Sequence, residues 1–85
     1  MAWTDTLTDD TRRMMMRALD QRGAEYLDTA GGDRPYAAFL MATDTAAWRD
    51  CGVSIFDLPD YNWRATYDQG MSPTQALAAA LDTVM

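Results

Sequence analysis

Cys51 is the only thiol in the chain, and there is no His or Lys to hold it as a thiolate. Asp50 beside it favours the protonated form, so Cys51 reads as a small buried apolar residue and not as a nucleophile. Without His, Ser/His and Cys/His catalytic pairs and zinc fingers are excluded, and one Cys excludes an internal disulfide. Asp57, Asp60 and Asn62 set three oxygen ligands at short spacing, but the Asp-x-Asp-x-Asp-Gly pattern of a calcium loop is missing. Helix caps and a solvated acid explain them, and no metal is expected. Gly31-Gly32 lacks the spaced glycines and the Lys of a phosphate loop and reads as a turn. Glu25 paired with a distant Asp is a description that any acidic protein satisfies. These residues predict no enzyme and no cofactor.

What is left is charge and aromatic surface. Thirteen acids oppose seven bases, for a net charge of −6. That argues against direct binding of nucleic acid or a basic membrane-surface helix, both of which need excess cations. Residues 1–42 carry five Arg and seven acids, whereas residues 43–85 carry two Arg and six Asp, so the second half is the more acidic. Its acids, Asp44, Asp50, Asp57, Asp60, Asp68 and Asp82, are interleaved with aromatics. They form either a solvated face or a cation-seeking one. On the second reading Asp57, Asp60 and Asp68 are the contacting carboxylates. Tyr61 is the exposed aromatic beside them, because Trp63 and Tyr67 share an inward stripe. Met14-Met15-Met16 spans nearly half a helix circumference and is assigned mainly to the core.

The elements that must position these groups are helices. Val and Ile number three against twenty-eight Ala, Leu and Met. Thr8 caps a first helix, with Asp9 and Asp10 in its first turn and Met15, Ala18, Leu19, Arg22 and Tyr26 on one stripe; the helix is firm to Arg22. Gly31-Gly32 ends whatever follows. Asp33 caps a second helix with Pro35 in its first turn, and Tyr36, Phe39, Leu40, Thr43, Ala47 and Cys51 recur at helical spacing. The poor propensity of Thr43-Asp44-Thr45 leaves two readings, one continuous helix or two short ones with Asp44 capping the one that carries Trp48. A β-hairpin over residues 25–41 is the competing reading, which would make the fold α+β. The connector from Val53 to Pro59 is expected in the core, and Asp60 is expected to cap a helix bearing Trp63 and Tyr67, stopped by Gly70. Ser72-Pro73-Thr74-Gln75 is a complete capping box for a last helix, whose buried stripe is Leu77, Ala80, Leu81 and Val84.

Eighty-five residues, 48% of them hydrophobic, make one acidic globular domain over residues 1–85, all-α, of four to five short helices. No window of 18 apolar residues occurs, and Met1-Ala2-Trp3-Thr4-Asp5 has neither a basic nor an apolar leader region. The expected location is the cytosol, where a free Cys51 persists.

The segment Asp57-Leu-Pro-Asp-Tyr-Asn-Trp-Arg-Ala-Thr-Tyr-Asp-Gln-Gly-Met-Ser-Pro-Thr-Gln-Ala-Leu resembles a short-helix, Gly-turn, Ser-Pro-capped-helix segment of small phage and prophage proteins. By size, acidity and lack of catalytic groups, the whole chain is similar to phage-encoded anti-CRISPR inhibitor proteins. That resemblance implies a non-enzymatic inhibitor acting in the host cytosol, which offers carboxylates to the basic surface of a nucleic-acid-binding complex. The other function expected of this sequence is a homo-oligomeric structural or accessory phage protein, in which the Met- and Ala-rich faces bury against a second copy.

Overall fold

The computed structural model describes residues 3–58 and 61–84, with the side chains of 83 and 84 excepted. After a short 3₁₀ turn at Trp3–Thr6 come α1 (Asp9–Arg22), α2 (Ala24–Thr29) and α3 (Arg34–Cys51). A second 3₁₀ turn at Ile55–Asp57 leads to α4 (Trp63–Asp68) and α5 (Pro73–Val84). The fold is all-α, and no strand occurs among the described residues. The hairpin reading of residues 25–41 is therefore overturned: that stretch is α2, a Gly turn and the first half of α3. Neither arm alternates apolar and polar residues, the second is rich in Ala, Leu and Met, which favour helix, and Gly31 (φ 64°) and Gly32 (φ 87°) supply the left-handed turn between them.

Chain-local signals set most of the helix ends. The Thr8 hydroxyl accepts from Thr11 N–H at 3.2 Å, and the Asp33 carboxylate accepts from Tyr36 N–H at 3.4 Å. The capping box at α5 closes in both directions: Gln75 N–H donates to Ser72 Oγ at 3.2 Å, and Ser72 N–H donates to Gln75 Oε1 at 3.0 Å. For α4 the cap is Asn62, whose side-chain oxygen accepts from Ala65 N–H at 3.0 Å, and not Asp60. Asp60 lies outside the described residues. Asn62 sits three residues before that amide, the spacing the side-chain bond requires.

α3 is the wall on which everything else packs, and it does not break at Thr43-Asp44-Thr45. The Thr43 hydroxyl donates to the Phe39 carbonyl at 2.7 Å and the Thr45 hydroxyl to the Met41 carbonyl at 2.9 Å. Both threonines thus satisfy themselves on their own helix instead of disrupting it. One side of α3 gives Tyr36, Phe39, Leu40 and Ala47 to a core shared with Ile55, Tyr67, Ala76 and Leu77. The other gives Ala37 and Met41 to a cluster with Leu19 of α1. α1 and α3 run in opposite directions, pinned at one end by Arg34 and Asp20 at 2.7 Å.

Arg64 ties α4 to the start of α3. Its guanidinium lies 4.9 Å from the Tyr36 ring centroid and 5.4 Å from that of Tyr67, and it pairs with Asp33 at 2.9 Å and Asp68 at 3.3 Å. The radius of gyration of 12.1 Å is that of a close-packed chain of this length, ~12 Å.

Candidate functional site

The face around the Ile55–Asp57 turn is built on one buried carboxylate. Asp44, deep in the middle of α3, accepts from Ser54 Oγ at 2.8 Å and Ile55 N–H at 2.9 Å through Oδ1, and from the Tyr26 hydroxyl at 2.5 Å through Oδ2. One residue thereby fixes the connector, α2 and α3 to each other. The Asp44 assignment as a helix cap is corrected accordingly: its side chain turns inward because three donors from distant segments meet it there.

The Ser54 hydroxyl also accepts from Phe56 N–H at 3.2 Å, which shapes the turn. Ile55 enters the core, while Phe56 remains 41% exposed and Val53 and Asp57 face solvent. The expectation of a wholly buried connector therefore holds for Ile55 and fails for Val53 and Phe56. A three-residue 3₁₀ turn can direct only one of its side chains inward. The outward Phe56 ring stacks on Tyr26, 5.8 Å between centroids and 26° between planes. The Tyr26 phenol is held well above its ordinary range, first by burial and then by its hydrogen bond to Asp44 and by the charges of Asp44 and Glu25.

Beside this stack is a hollow of about 180 Å³ lined by Phe56, Leu58, Tyr61 and Trp63 together with Tyr36 and Leu40. Tyr61 is half-buried instead of exposed, because its ring packs edge-on against Trp63 at 4.9 Å. The structure thus brings Tyr61 to one hollow with the residue that precedes Asp57. Asp68 is not part of it: it is exposed at the end of α4 and already paired with Arg64.

The acids divide sharply by partner. Asp9, Asp10, Asp20, Asp33, Asp50 and Asp68 are each ion-paired with an Arg. Glu25, Asp28 and Asp57 are exposed and make no ion pair among the described residues. Glu25 and Asp57 adjoin in sequence the two members of the Tyr26–Phe56 stack, and the charges of Glu25 and Arg22 both act on Tyr26. Tyr26 and Phe56 were missed from sequence. The one available signal was Ser54, a capping residue whose turn directs the next side chain but one outward.

Cys51 is exposed, which corrects its assignment to the core. The buried stripe of α3 ends at Ala47, one turn short of it, because the chain leaves the wall at Gly52. Among the described residues no group of three His, Cys, Asp or Glu side chains is placed to hold a metal ion. No described helix is long and apolar enough to cross a membrane. In comparisons with protein-family models, curated proteins and solved structures, nothing matches this chain.

Proposed function

We propose that this chain is a non-enzymatic binding module that docks on the basic surface of a nucleic-acid-binding protein complex, in the manner of the phage anti-CRISPR inhibitors it resembles. The observation that supports this reading is an exposed aromatic side chain, Phe56, on a turn anchored by Asp44, followed in the chain by Asp57, an exposed carboxylate with no ion pair among the described residues. An arginine side chain meant for phosphate suits such a place. Its guanidinium pairs with a carboxylate as it would with a phosphate, and its flat face stacks on aromatic rings, here those of Phe56, Tyr61 and Trp63. A fixed scaffold lowers the entropy lost on binding. The free Cys51 accords with action in the reducing host cytosol.

The test is inhibition of DNA binding by purified CRISPR surveillance complexes, followed by gel shift over a range of salt. Inhibition should weaken as salt rises, because exposed charges are screened over about 8 Å at physiological ionic strength. Phe56→Ala and Asp57→Asn should each reduce it several-fold. Asp68→Asn should not, because Arg64 already meets that charge. Equal effects of Asp57→Asn and Asp68→Asn would show that only net charge matters and that this face is a solvated surface.

A further inference from the structure

We propose that the exposed face of α1 is a twofold self-association surface, on which two copies pack their first helices antiparallel. Asp10, Met14, Arg17 and Gln21 recur along α1 at spacings of four, three and four, and all four are exposed. This is the period of a narrow helix-to-helix seam. At its centre Met14 is 71% exposed, the most exposed of the large apolar side chains among the described residues. Beside it an open groove of about 410 Å³ runs between α1 and α3, with Met15, Ala18, Met41 and Ala42 as its apolar lining next to Met14, and Arg22 among its polar lining. Pliant Met side chains on both sides of such a groove adapt to a second surface of the same kind.

The charges say which surface that is. α1 carries four Arg (Arg12, Arg13, Arg17, Arg22) against three Asp (Asp9, Asp10, Asp20), and is the one helix with a net positive charge in a chain of net −6. A second copy is repelled least here. Along the seam the order is acid, Met, base. A twofold axis between Arg13 and Met14 sets Asp10 opposite Arg17 of the other copy, and Arg17 opposite Asp10, since residues whose numbers sum to 27 then face each other. The two Met14 side chains meet across the axis, beside the two grooves. Arg17 has no ion pair among the described residues, and Asp10 has only a loose one, to Arg13 at 3.6 Å on its own helix. Arg17 is thus open to a pair between copies, and Asp10 can exchange its loose pair on its own helix for that one. A parallel arrangement would place Asp10 on Asp10 and Arg17 on Arg17, a repulsive register.

Light scattering after size exclusion, with sedimentation equilibrium over a range of concentrations, tests this on the full chain. The protein should be dimeric and Met14→Glu monomeric, with unchanged helix content by circular dichroism because the side chain is exposed. Asp10→Arg and Arg17→Asp should each weaken the dimer at least tenfold, and the double reversal Asp10→Arg/Arg17→Asp should restore it to within a few-fold. Asp57→Asn, on the other face, should leave the dimer intact and so separates this proposal from the docking one. A wild-type chain that stays monomeric overturns the proposal. So does a dimer that survives Met14→Glu, or a double reversal that fails to rescue, the result expected if the seam receives an acidic helix of another protein.

Discussion

A carboxylate withdrawn from water costs several kcal/mol unless donors meet it, and Asp44 has three, from Ser54, Ile55 and Tyr26. The converse also holds: without Asp44, the buried Ile55 N–H and the Tyr26 hydroxyl lose their acceptor. Asp44→Ala should therefore cost on the order of 3 kcal/mol in urea unfolding, the sum of a lost charged acceptor and orphaned donors. Asp44→Asn should cost much less, because the amide oxygen can still accept from Ser54 and Ile55 while the Tyr26 hydroxyl turns to accept from the amide nitrogen. Equal losses in the two variants would mean that packing, and not the acceptor, matters at this position. The same contact sets an alkaline limit. The Tyr26 phenol, with an ordinary value of 10.0, is raised in the fold, so the unfolded chain releases this proton first. Its contribution to stability is complete below pH 10 and is lost as pH rises beyond it. Tyr36 and Tyr67 are also raised by burial, so Tyr26→Phe should reduce, without abolishing, the fall in melting temperature between about pH 10 and about pH 12. An identical fall in both proteins would deny Tyr26 this role.

At the scale of elements, what the sequence makes legible is what lies within one turn of chain. The Thr8, Asp33 and Ser72–Gln75 caps are read from hydroxyls, carboxylates and amides three residues from the N–H groups they serve. The continuity of α3 is not legible in that way. Thr43, Asp44 and Thr45 have poor helix propensity, and only tertiary donors to Asp44, contributed from 10, 11 and 18 residues away, show why the helix runs through them. Gly23 has a similarly hidden role. It separates α1 from α2 at φ −104°, a value any residue tolerates, so propensity alone predicts that Ala would fuse the two into one longer helix. A Cβ there would lie 2.5 Å from the Leu19 carbonyl oxygen and 2.8 Å from Leu19 Cα, and would also strike the Leu19 side chain. Two of these are backbone atoms of a helix whose Leu19 is fully buried, so neither can give way cheaply. Gly23→Ala is expected to destabilise by about 2 kcal/mol, the cost of overpacking, instead of gaining the usual increment of Gly-to-Ala replacement. A rise in melting temperature would show that α1 and α2 can join without disturbing Leu19.

For the molecule as a whole, the inward residues of long helices are legible from their 3.6-residue period, and those of short connectors are not. Tyr36, Phe39, Leu40, Leu77 and Ala80 all lie in the core as their spacing indicates, whereas Cys51 and Phe56 do not, because the period ends where the chain leaves α3. In the candidate face Asp57 and Tyr61 are legible in the sequence as an acid and an aromatic close together, and Phe56 is not, because its outward turn rests on the bonds of Ser54 and Asp44. Both apolar clusters rest on α3: Leu19 packs on one side with Ala37 and Met41, and Phe39 on the other with Trp3, Tyr36 and Tyr67 around it. A helix that serves as wall to both cannot lose one cluster and keep the other, so the chain should unfold in a single step. Phe39→Ala should cost ~3–5 kcal/mol, and Leu19→Ala ~2–5 kcal/mol. A domain of this size has only ~4–13 kcal/mol in total, so either variant moves the urea midpoint far down. The decisive comparison is between probes: helix dichroism reports all five helices, while tryptophan fluorescence is weighted toward the Phe39 side, where Trp3 and Trp63 pack on the core. In Leu19→Ala the two curves should still coincide although the lesion is in the other cluster. If the fluorescence transition stayed at the wild-type midpoint while dichroism shifted, α1 and α2 would form a separable unit, and α3 would not couple the two halves.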